Sequence, residues 1–214
     1  MHAKTTITIA LLVAASAALG ATNISPTNKW SWGENIGFMN WRDAGTPAGN
    51  QGVEVLSDHL AGYVWCENIG WLNVGNGSGP YANTNNTNYG VNVVGGFLEG
   101  YAWMENAGWV NFDGGALASP PNPARIENGR LKGFAWGENV GWINLDDANA
   151  YVAIFCEADV NSDGQVNLDD LQLLLFGFGT GPGAQLIDGD VNGDGFTNLD
   201  DLQLLLFNFG NICY

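Results

Sequence analysis

Hydrophobic and polar positions alternate with a period of two through much of residues 22 to 156. The alternation is clearest in four copies of a motif around Glu-Asn-x-Gly, at 30–41, 63–74, 101–112 and 134–145. Such alternation predicts half-buried β-strands, and the central residues suit a type I turn whose glycine tolerates a positive φ. Each copy is therefore predicted to form a β-hairpin, with its turn glycine at Gly37, Gly70, Gly108 or Gly141.

Further short strands are predicted outside the hairpins, in segments rich in β-branched residues. They are GVEVL (52–56), VNVVG (91–95), ARIEN (124–128) and YVAIF (151–155). The total is about twelve short strands, and no segment of this region supports a helix. The predicted fold class is therefore mainly β, with an all-β domain of four similar three-stranded units. A propeller, a prism and a barrel are all compatible with this pattern.

The pattern changes after residue 156. Two nearly identical segments, 159–179 and 190–210, repeat with a period of 31 residues. Each has an acidic loop followed by a Leu-rich stretch, LDDLQLLLFGFG or LDDLQLLLFNFG, which predicts a short helix that is apolar nearly all round. A module of this size cannot bury two such helices completely, so part of their leucine and phenylalanine surface is expected to be exposed.

The acidic loops match a twelve-residue calcium-binding pattern in both copies. Calcium takes six to eight oxygen ligands, which such a loop supplies from positions 1, 3, 5, 7, 9 and 12, with glycine at 6 for the bend. In the first copy these are Asp159, Asn161, Asp163, the carbonyl of Gln165, Asn167 and Asp170. In the second they are Asp190, Asn192, Asp194, the carbonyl of Phe196, Asn198 and Asp201. Two Ca²⁺ ions are therefore predicted.

The duplicated Asp-Val-Asn-x-Asp-Gly loop followed by a Leu-rich helix resembles the dockerin type I family. The resemblance covers about residues 157–213 and implies a small α module that folds around two calcium ions and docks onto a cohesin-like protein. The tryptophan-rich repeats resemble GYAWxENxGWIN repeats of uncharacterised bacterial exported proteins, which implies no particular activity. The predicted domains are a signal peptide at 1–21, a β-repeat domain at 22–156 and the dockerin-like module at 157–214.

The N-terminal segment and the charge indicate where the protein acts. Residues 1–21 have Lys4, an apolar stretch too short to span a membrane and small residues at the end, as in a secretory signal. The mature chain is expected to be secreted, without a transmembrane segment, and either extracellular or attached to the cell surface. The whole sequence has 6 basic against 22 acidic residues, so it lacks the basic surface that nucleic acid requires.

The hairpins carry aromatic residues, a glutamate and an asparagine on one predicted face. Such a face suits contact with a polysaccharide, and the candidate glycan-binding residues are Trp32, Trp65, Trp71, Trp103, Trp109, Trp136 and Trp142. The alternative is that these sets only pack the repeats against one another. Catalysis has little support, because Glu34, Glu67, Glu105 and Glu138 occupy equivalent positions, whereas a glycosidase needs two carboxyl groups in different environments.

Three cysteines remain to be placed. Cys156 and Cys213 bracket the C-terminal module, and export permits oxidation, so a Cys156–Cys213 disulfide is predicted. Cys66 lies at an apolar-facing strand position and is expected to be buried and reduced.

Three functional hypotheses follow from these features. The leading one is a non-catalytic surface protein with a calcium-dependent attachment module and a β-repeat domain for adhesion or glycan contact. The second is a subunit of an extracellular fibre or coat that assembles with other copies of itself. The third is a polysaccharide-degrading enzyme delivered by its dockerin.

Overall fold

The computed structural model describes residues 22–43 and 52–212. The predicted signal peptide and Cys213 lie outside these ranges. Within them the chain is mainly β, as predicted, with thirteen strands. In chain order they are β1 (Ile24–Gly33), β2 (Gly37–Asn40), β3 (Val53–Val55), β4 (Leu60–Cys66), β5 (Gly70–Gly75), β6 (Val91–Val94), β7 (Phe97–Met104), β8 (Gly108–Asn111), β9 (Arg125–Glu127), β10 (Arg130–Lys132), β11 (Phe134–Gly137), β12 (Gly141–Asn144) and β13 (Val152–Ile154).

Eight of the strands form a closed antiparallel barrel. Their order is β12, β11, β8, β7, β5, β4, β2 and β1, and β1 also pairs with β12 to close the ring. The consecutive pairs β1–β2, β4–β5, β7–β8 and β11–β12 are the four predicted hairpins. The turn glycines have the predicted positive φ, between 75° and 98°. Of the three closures that the sequence leaves open, the chain adopts the barrel.

The four seams between neighbouring hairpins have the same register. At each seam the asparagine of one hairpin pairs with the tryptophan that lies two residues before the Glu-Asn-x-Gly glutamate of the next. The pairs are Asn40 with Trp65, Asn73 with Trp103, Asn111 with Trp136 and, across the closing seam, Asn144 with Trp32. The sequence repeat is therefore also a repeat of the strand pairing.

The remaining five strands lie at the end of the barrel farthest from the Glu-Asn-x-Gly turns, where they extend the pairing of β1, β4 and β7. Three of them pair with a strand that follows them in the chain: β3 with β4, β6 with β7 and β9 with β10. The last strand, β13, instead pairs with β1 at the start of the domain. The first and last strands of the domain thus pair with each other. Strand β1 therefore pairs both with β12, which closes the barrel, and with β13.

The barrel interior is filled by the side chains that alternate with the aromatic face of the hairpins. Met39, Cys66, Leu72, Met104, Val110 and Ile143 are all buried. Gly33 and Gly137 occupy the positions that correspond to Cys66 and Met104. Their missing side chains are replaced by Ile36 and Val140, since a β carbon at Gly33 would lie 2.3 Å from Cγ1 of Ile36 and one at Gly137 would lie 2.6 Å from Cγ2 of Val140. The packing therefore requires glycine there.

The asparagine of Glu-Asn-x-Gly ties the four turns into a ring. Each side-chain amide donates to the carbonyl of residue x in the preceding turn, and the first turn is bonded to the fourth. The bonds are Asn35 to Val140 (3.3 Å), Asn68 to Ile36 (2.8 Å), Asn106 to Ile69 (2.7 Å) and Asn139 to Ala107 (2.9 Å). This end of the barrel is thus held together by side chains as well as by strand pairing.

The expectation that the β domain contains no helix is wrong. A 3₁₀ helix spans Phe112–Leu117, and Asn111 caps it by accepting a hydrogen bond from the Asp113 N–H. Buried Gly114 and Gly115 let this segment approach Trp136 and the backbone of Phe134 closely. Close packing of a Gly-Gly pair produces this turn, and strand periodicity gives no sign of it.

The C-terminal segment contains two helices, α1 (Leu168–Gly177) and α2 (Leu199–Asn208). Each acidic loop pairs with the segment that leaves the helix of the other copy. Position 8 of the first loop, Val166, pairs with Gly210 and Asn211, and position 8 of the second loop, Thr197, pairs with Gly179 and Thr180. Both side chains are buried. The two copies therefore support each other reciprocally.

The chain before the second loop forms a single 3₁₀ turn at Leu186–Asp188. Asp188 stabilises it, because its carboxylate accepts a hydrogen bond from the Gln185 N–H at 3.0 Å. The turn is too short to act as the entering helix of an EF-hand.

The first acidic loop packs directly against the barrel. A β carbon at Gly129, in the β9–β10 turn, would lie 3.2 Å from the Cα of Gly164 at the bend of the loop. Beside this contact is a cavity of about 400 Å³, which lies between the β6–β7 and β9–β10 turns on one side and the loop on the other. No flexible linker separates β13 from the loop, which starts at Asp159, five residues after Ile154.

Candidate functional site

The aspartate at position 1 of each loop holds the bend. The Asp159 carboxylate accepts the N–H groups of Asp163 at 3.1 Å and Gly164 at 2.9 Å. In the second loop Asp190 makes the same bonds at 3.1 Å and 2.8 Å. The sharp turn that brings positions 1, 3 and 5 together is therefore fixed by one of the predicted ligands.

The aspartate at position 12 joins each loop to its helix. Asp170 accepts hydrogen bonds from the N–H groups of Val160 (2.8 Å), Asn161 (3.1 Å) and Asn167 (2.8 Å). Asp201 accepts three bonds from the corresponding residues of the second loop, between 2.8 and 3.1 Å. Because Asn167 and Asn198 cap the helices, each position-12 aspartate also completes a capping box.

The middle of each loop is organised by side chains at positions 3 and 5. Asn161 accepts from the Asp163 N–H at 2.8 Å, and Asp163 accepts from the Gln165 N–H at 2.9 Å. The second loop repeats these bonds through Asn192 and Asp194. The two loops thus have the same backbone turn, and each places its predicted oxygen ligands at corresponding positions of that turn.

Buried negative charge distinguishes these loops from ordinary acidic turns. Asp159 and Asp190 are 6% and 5% exposed, and Asp170 and Asp201 are fully buried. Every ion pair in the described ranges joins residues between 29 and 146, and residues 157–214 contain no Lys or Arg. Buried carboxylates in proteins are normally paired with a cation or bound to a metal.

The acids of the first loop also act on one another. Burial raises the pKa of Asp159, and the nearby negative charges of Asp170 and Asp163 raise it further, although the N–H groups of Gly164 and Asp163 oppose the shift. Folding therefore disfavours the ionised form of this aspartate unless a nearby positive charge offsets the effect.

The donor chemistry fits calcium better than a transition metal. Within the described residues no group of three or more His, Cys, Asp or Glu side chains is arranged to hold a metal ion by itself. A calcium site in the first loop would therefore also need the amide oxygens of Asn161 and Asn167 and the Gln165 carbonyl, and one in the second loop would need the equivalent groups. Calcium accepts such mixed oxygen donors.

The aromatic residues form a second candidate site, a belt on the outside of the barrel. In each hairpin three rings pack together, edge to face in every pair except Trp136 with Trp142, whose planes are inclined by 59°. The central pairs are Trp32 with Phe38, Trp65 with Trp71, Trp103 with Trp109 and Trp136 with Trp142, at centroid distances of 4.7 to 4.8 Å. The third ring is Trp30, Tyr63, Tyr101 or Phe134, about 6 Å from its neighbour.

The candidate glycan-binding tryptophans thus lie on the outer surface and not in the barrel core. Trp32, Trp103, Trp109 and Trp136 are exposed, whereas Trp65, Trp71 and Trp142 are partly buried. The third ring of each set was not among the predicted residues, although it lies two residues before Trp32, Trp65, Trp103 or Trp136 and period two places it on the same face.

The asparagines of the predicted aromatic face have a structural task. Asn73, Asn111 and Asn144 each accept a backbone hydrogen bond from the residue two positions later, at 2.8 to 3.1 Å. Asn40 makes the same contact with Arg42 and also donates to Asp43. Their amide oxygens therefore stabilise the backbone at the ends of the strands.

The cysteines are arranged as follows. Cys66 is free and buried, as predicted, and its thiol lies 3.4 Å from the Ile36 carbonyl. Cys156 takes part in a disulfide. Because Cys213 lies outside the described residues, the Cys156–Cys213 pairing stays a prediction.

Comparison of the chain with protein-family models, curated proteins and solved structures gives no match. No helix in ranges 22–43 and 52–212 is long and apolar enough to cross a membrane. The functional assignment therefore rests on the chemistry of the loops and of the barrel surface.

Proposed function

We propose that this chain is a secreted, non-catalytic surface protein with a calcium-dependent, dockerin-like attachment module and a β-barrel for adhesion or glycan contact. The observation that carries the proposal is the set of four buried aspartates in two matching loops, with no basic residue in the same segment. Two acidic turns without a metal would be expected to keep their carboxylates in water.

The residues that would hold calcium are the twelve loop positions given above. A bound calcium ion supplies two positive charges to each loop and thereby removes the repulsion between its carboxylates. Asp159 and Asp190 fix the bends, while Asp170 and Asp201 fasten each loop to the first turn of its helix. Metal binding would therefore be coupled to folding of the helices.

The attachment surface is provided by the exposed side of the helices. Phe176 and Phe207, at equivalent positions of α1 and α2, are 94% and 87% exposed, and Leu175 and Leu206 beside them are more than half exposed. Apolar side chains this exposed are typical of an interaction surface. A cohesin-like protein is the proposed partner, and its contact would require the helices to be ordered by calcium.

Calcium titration by calorimetry and chelation followed by circular dichroism test the proposal. We expect uptake of two ions, and loss of the helical signal on chelation with retention of the β signal. The double variant Asp159→Ala/Asp190→Ala should behave like the chelated protein, whereas Asp147→Ala in the barrel should not. Absence of calcium uptake, or a helical signal unchanged by chelation, would refute the proposal.

Assembly with other copies into a fibre or coat is the second candidate function. It is favoured by the direct contact between the barrel turn at Gly129 and the loop bend at Gly164, which joins the two parts without a flexible tether. A rigid subunit with an exposed apolar face suits regular assembly. Electron microscopy of the purified protein with calcium distinguishes the two, because filaments would favour assembly and dispersed particles would favour attachment.

A further inference from the structure

One groove on the outer surface lies at the closing seam of the barrel, where β12 meets β1. Its volume is about 540 Å³, which is within the range of small-molecule binding sites. One side consists of aromatic rings from the last and first hairpins, Trp142, Phe134 and Trp32, with Glu34 and Asn144 beside them. The other side is the connection between β8 and β9, from Ala118 to Asn122.

This connection is fixed in place, so the groove does not depend on a ligand to form. The Ala118 and Asn122 N–H groups both donate to the Gly115 carbonyl, at 3.2 and 2.9 Å. The Asn122 carbonyl in turn accepts the Phe134 N–H at 3.0 Å. This side of the groove is therefore bonded to the last hairpin, which supplies two of the three rings.

The neighbouring seam shows why four equivalent seams do not give four equivalent grooves. At the seam between β8 and β11, Gly114 of the 3₁₀ helix packs so closely that a β carbon there would lie 2.6 Å from the Cβ of Trp136. The connection thus packs against the base of the Trp136 side chain, and farther along, beside Trp32, it lines the groove. The strand pairing is the same at both seams, but this one connection makes their outer surfaces different.

The lining of the groove indicates the chemistry of its ligand. Trp32 is 41% exposed, so part of its ring is available for contact with the C–H groups of a sugar ring. Glu34 offers an exposed carboxylate and Ser119 a hydroxyl, while the Asn144 oxygen is already bonded to the Asp146 N–H at 3.1 Å. Glu34 is the one charged residue in the lining, and a chain of net charge −16 would repel polyanions.

We propose that this groove is the carbohydrate-binding site of the barrel and that its ligand is a neutral hexopyranose oligosaccharide. The inference rests on the proposed role of the barrel in glycan contact, and it assigns that role to a single site instead of the whole belt. Aromatic faces combined with a carboxylate and a hydroxyl, without a cationic group, favour neutral sugars over acidic ones.

Binding of cellohexaose, mannohexaose and chitohexaose, with polygalacturonate as the acidic comparison, tests the inference by calorimetry and tryptophan fluorescence. We expect at least one neutral probe to bind with one site per chain, and polygalacturonate not to bind. Trp32→Ala should weaken binding about tenfold or more, the usual size of a central aromatic contact. Trp65→Ala, at the equivalent position of the next hairpin, should change it less than about twofold.

A second matched pair keeps the test decisive if Trp32→Ala fails to fold. Glu34→Gln alters an exposed side chain in the groove, and Glu67→Gln alters its equivalent outside it. Glu34→Gln should weaken binding and Glu67→Gln should not. Failure of every neutral probe, equal losses within either pair, or comparable binding of polygalacturonate would overturn the inference. Calcium uptake, measured on the same samples, shows separately whether the proposed attachment function stands.

Discussion

The position-12 aspartates offer the most demanding test of the calcium loops, because each has a matched neighbour. Asp170 is fully buried and its two oxygens accept three backbone N–H groups, from Val160, Asn161 and Asn167. Asp169, one residue earlier in the same helical turn, is exposed. Asp170→Asn and Asp169→Asn therefore remove the same charge from adjacent positions with very different surroundings.

The expected cost of Asp170→Asn follows from these contacts. A hydrogen bond to a charged group contributes about 1.5 to 3 kcal/mol, and asparagine retains only one of the two acceptor oxygens. At least one N–H group then faces the new amide instead of an oxygen, so about 2 to 3 kcal/mol is lost from the loop itself. Loss of calcium binding removes about 2.7 kcal/mol more when calcium is present at a hundredfold excess over its dissociation constant.

Together these losses of about 5 kcal/mol approach the whole stability of a small domain. We therefore expect Asp170→Asn to unfold the C-terminal segment even in excess calcium. Asp169→Asn should cost about 1 kcal/mol or less, chiefly through the lost interaction of its charge with the helix N-terminus. Circular dichroism at 222 nm during thermal unfolding, with calcium titration by calorimetry, measures both effects.

The experiment has one expected outcome and two that would contradict the prediction. The expected pattern is loss of the helical signal and of calcium uptake in Asp170→Asn, with both retained in Asp169→Asn. Equal behaviour of the two variants would mean that burial and hydrogen bonding at position 12 do not matter. Full calcium uptake by Asp170→Asn would mean that this aspartate is not a ligand.

Three further predictions concern the barrel and its contact with the first loop. Asn68→Ala breaks one bond of the turn ring and should destabilise the barrel by about 1 kcal/mol, measured by denaturant unfolding followed by tryptophan fluorescence. Cys66 should react with a thiol reagent only after unfolding, and fast reaction of the native protein would contradict its burial. Gly129→Val should weaken calcium binding at the first loop, because a β carbon there would lie 3.2 Å from the Cα of Gly164. Gly96 also has a positive φ, but a β carbon there would lie 3.6 Å from its nearest neighbour, the Ile126 carbonyl oxygen, so Gly96→Val should leave the calcium titration unchanged.

The sequence alone determined the local elements of this protein. Period-two alternation fixed the hairpins, the glycine of Glu-Asn-x-Gly fixed their turns, and the spacing of oxygen-bearing residues after Asp159 and Asp190 fixed the predicted ligands. These features need only residues close together in the chain, so a repeated motif reveals them directly. The 3₁₀ helix at Phe112–Leu117 could not be predicted from such local features, because it depends on close packing of two glycines against another hairpin.

Only the tertiary structure decided how the hairpins close and which part of their surface is open. Closure requires β1 to pair with β12 and β13, more than a hundred residues away, and strand periodicity is the same in a barrel, a prism and a propeller. The groove beside Trp32 likewise depends on where the β8–β9 connection lies. Pairing energy is local to each strand, but the choice among closures is made by the whole ring, because every hairpin must satisfy both of its neighbours at once.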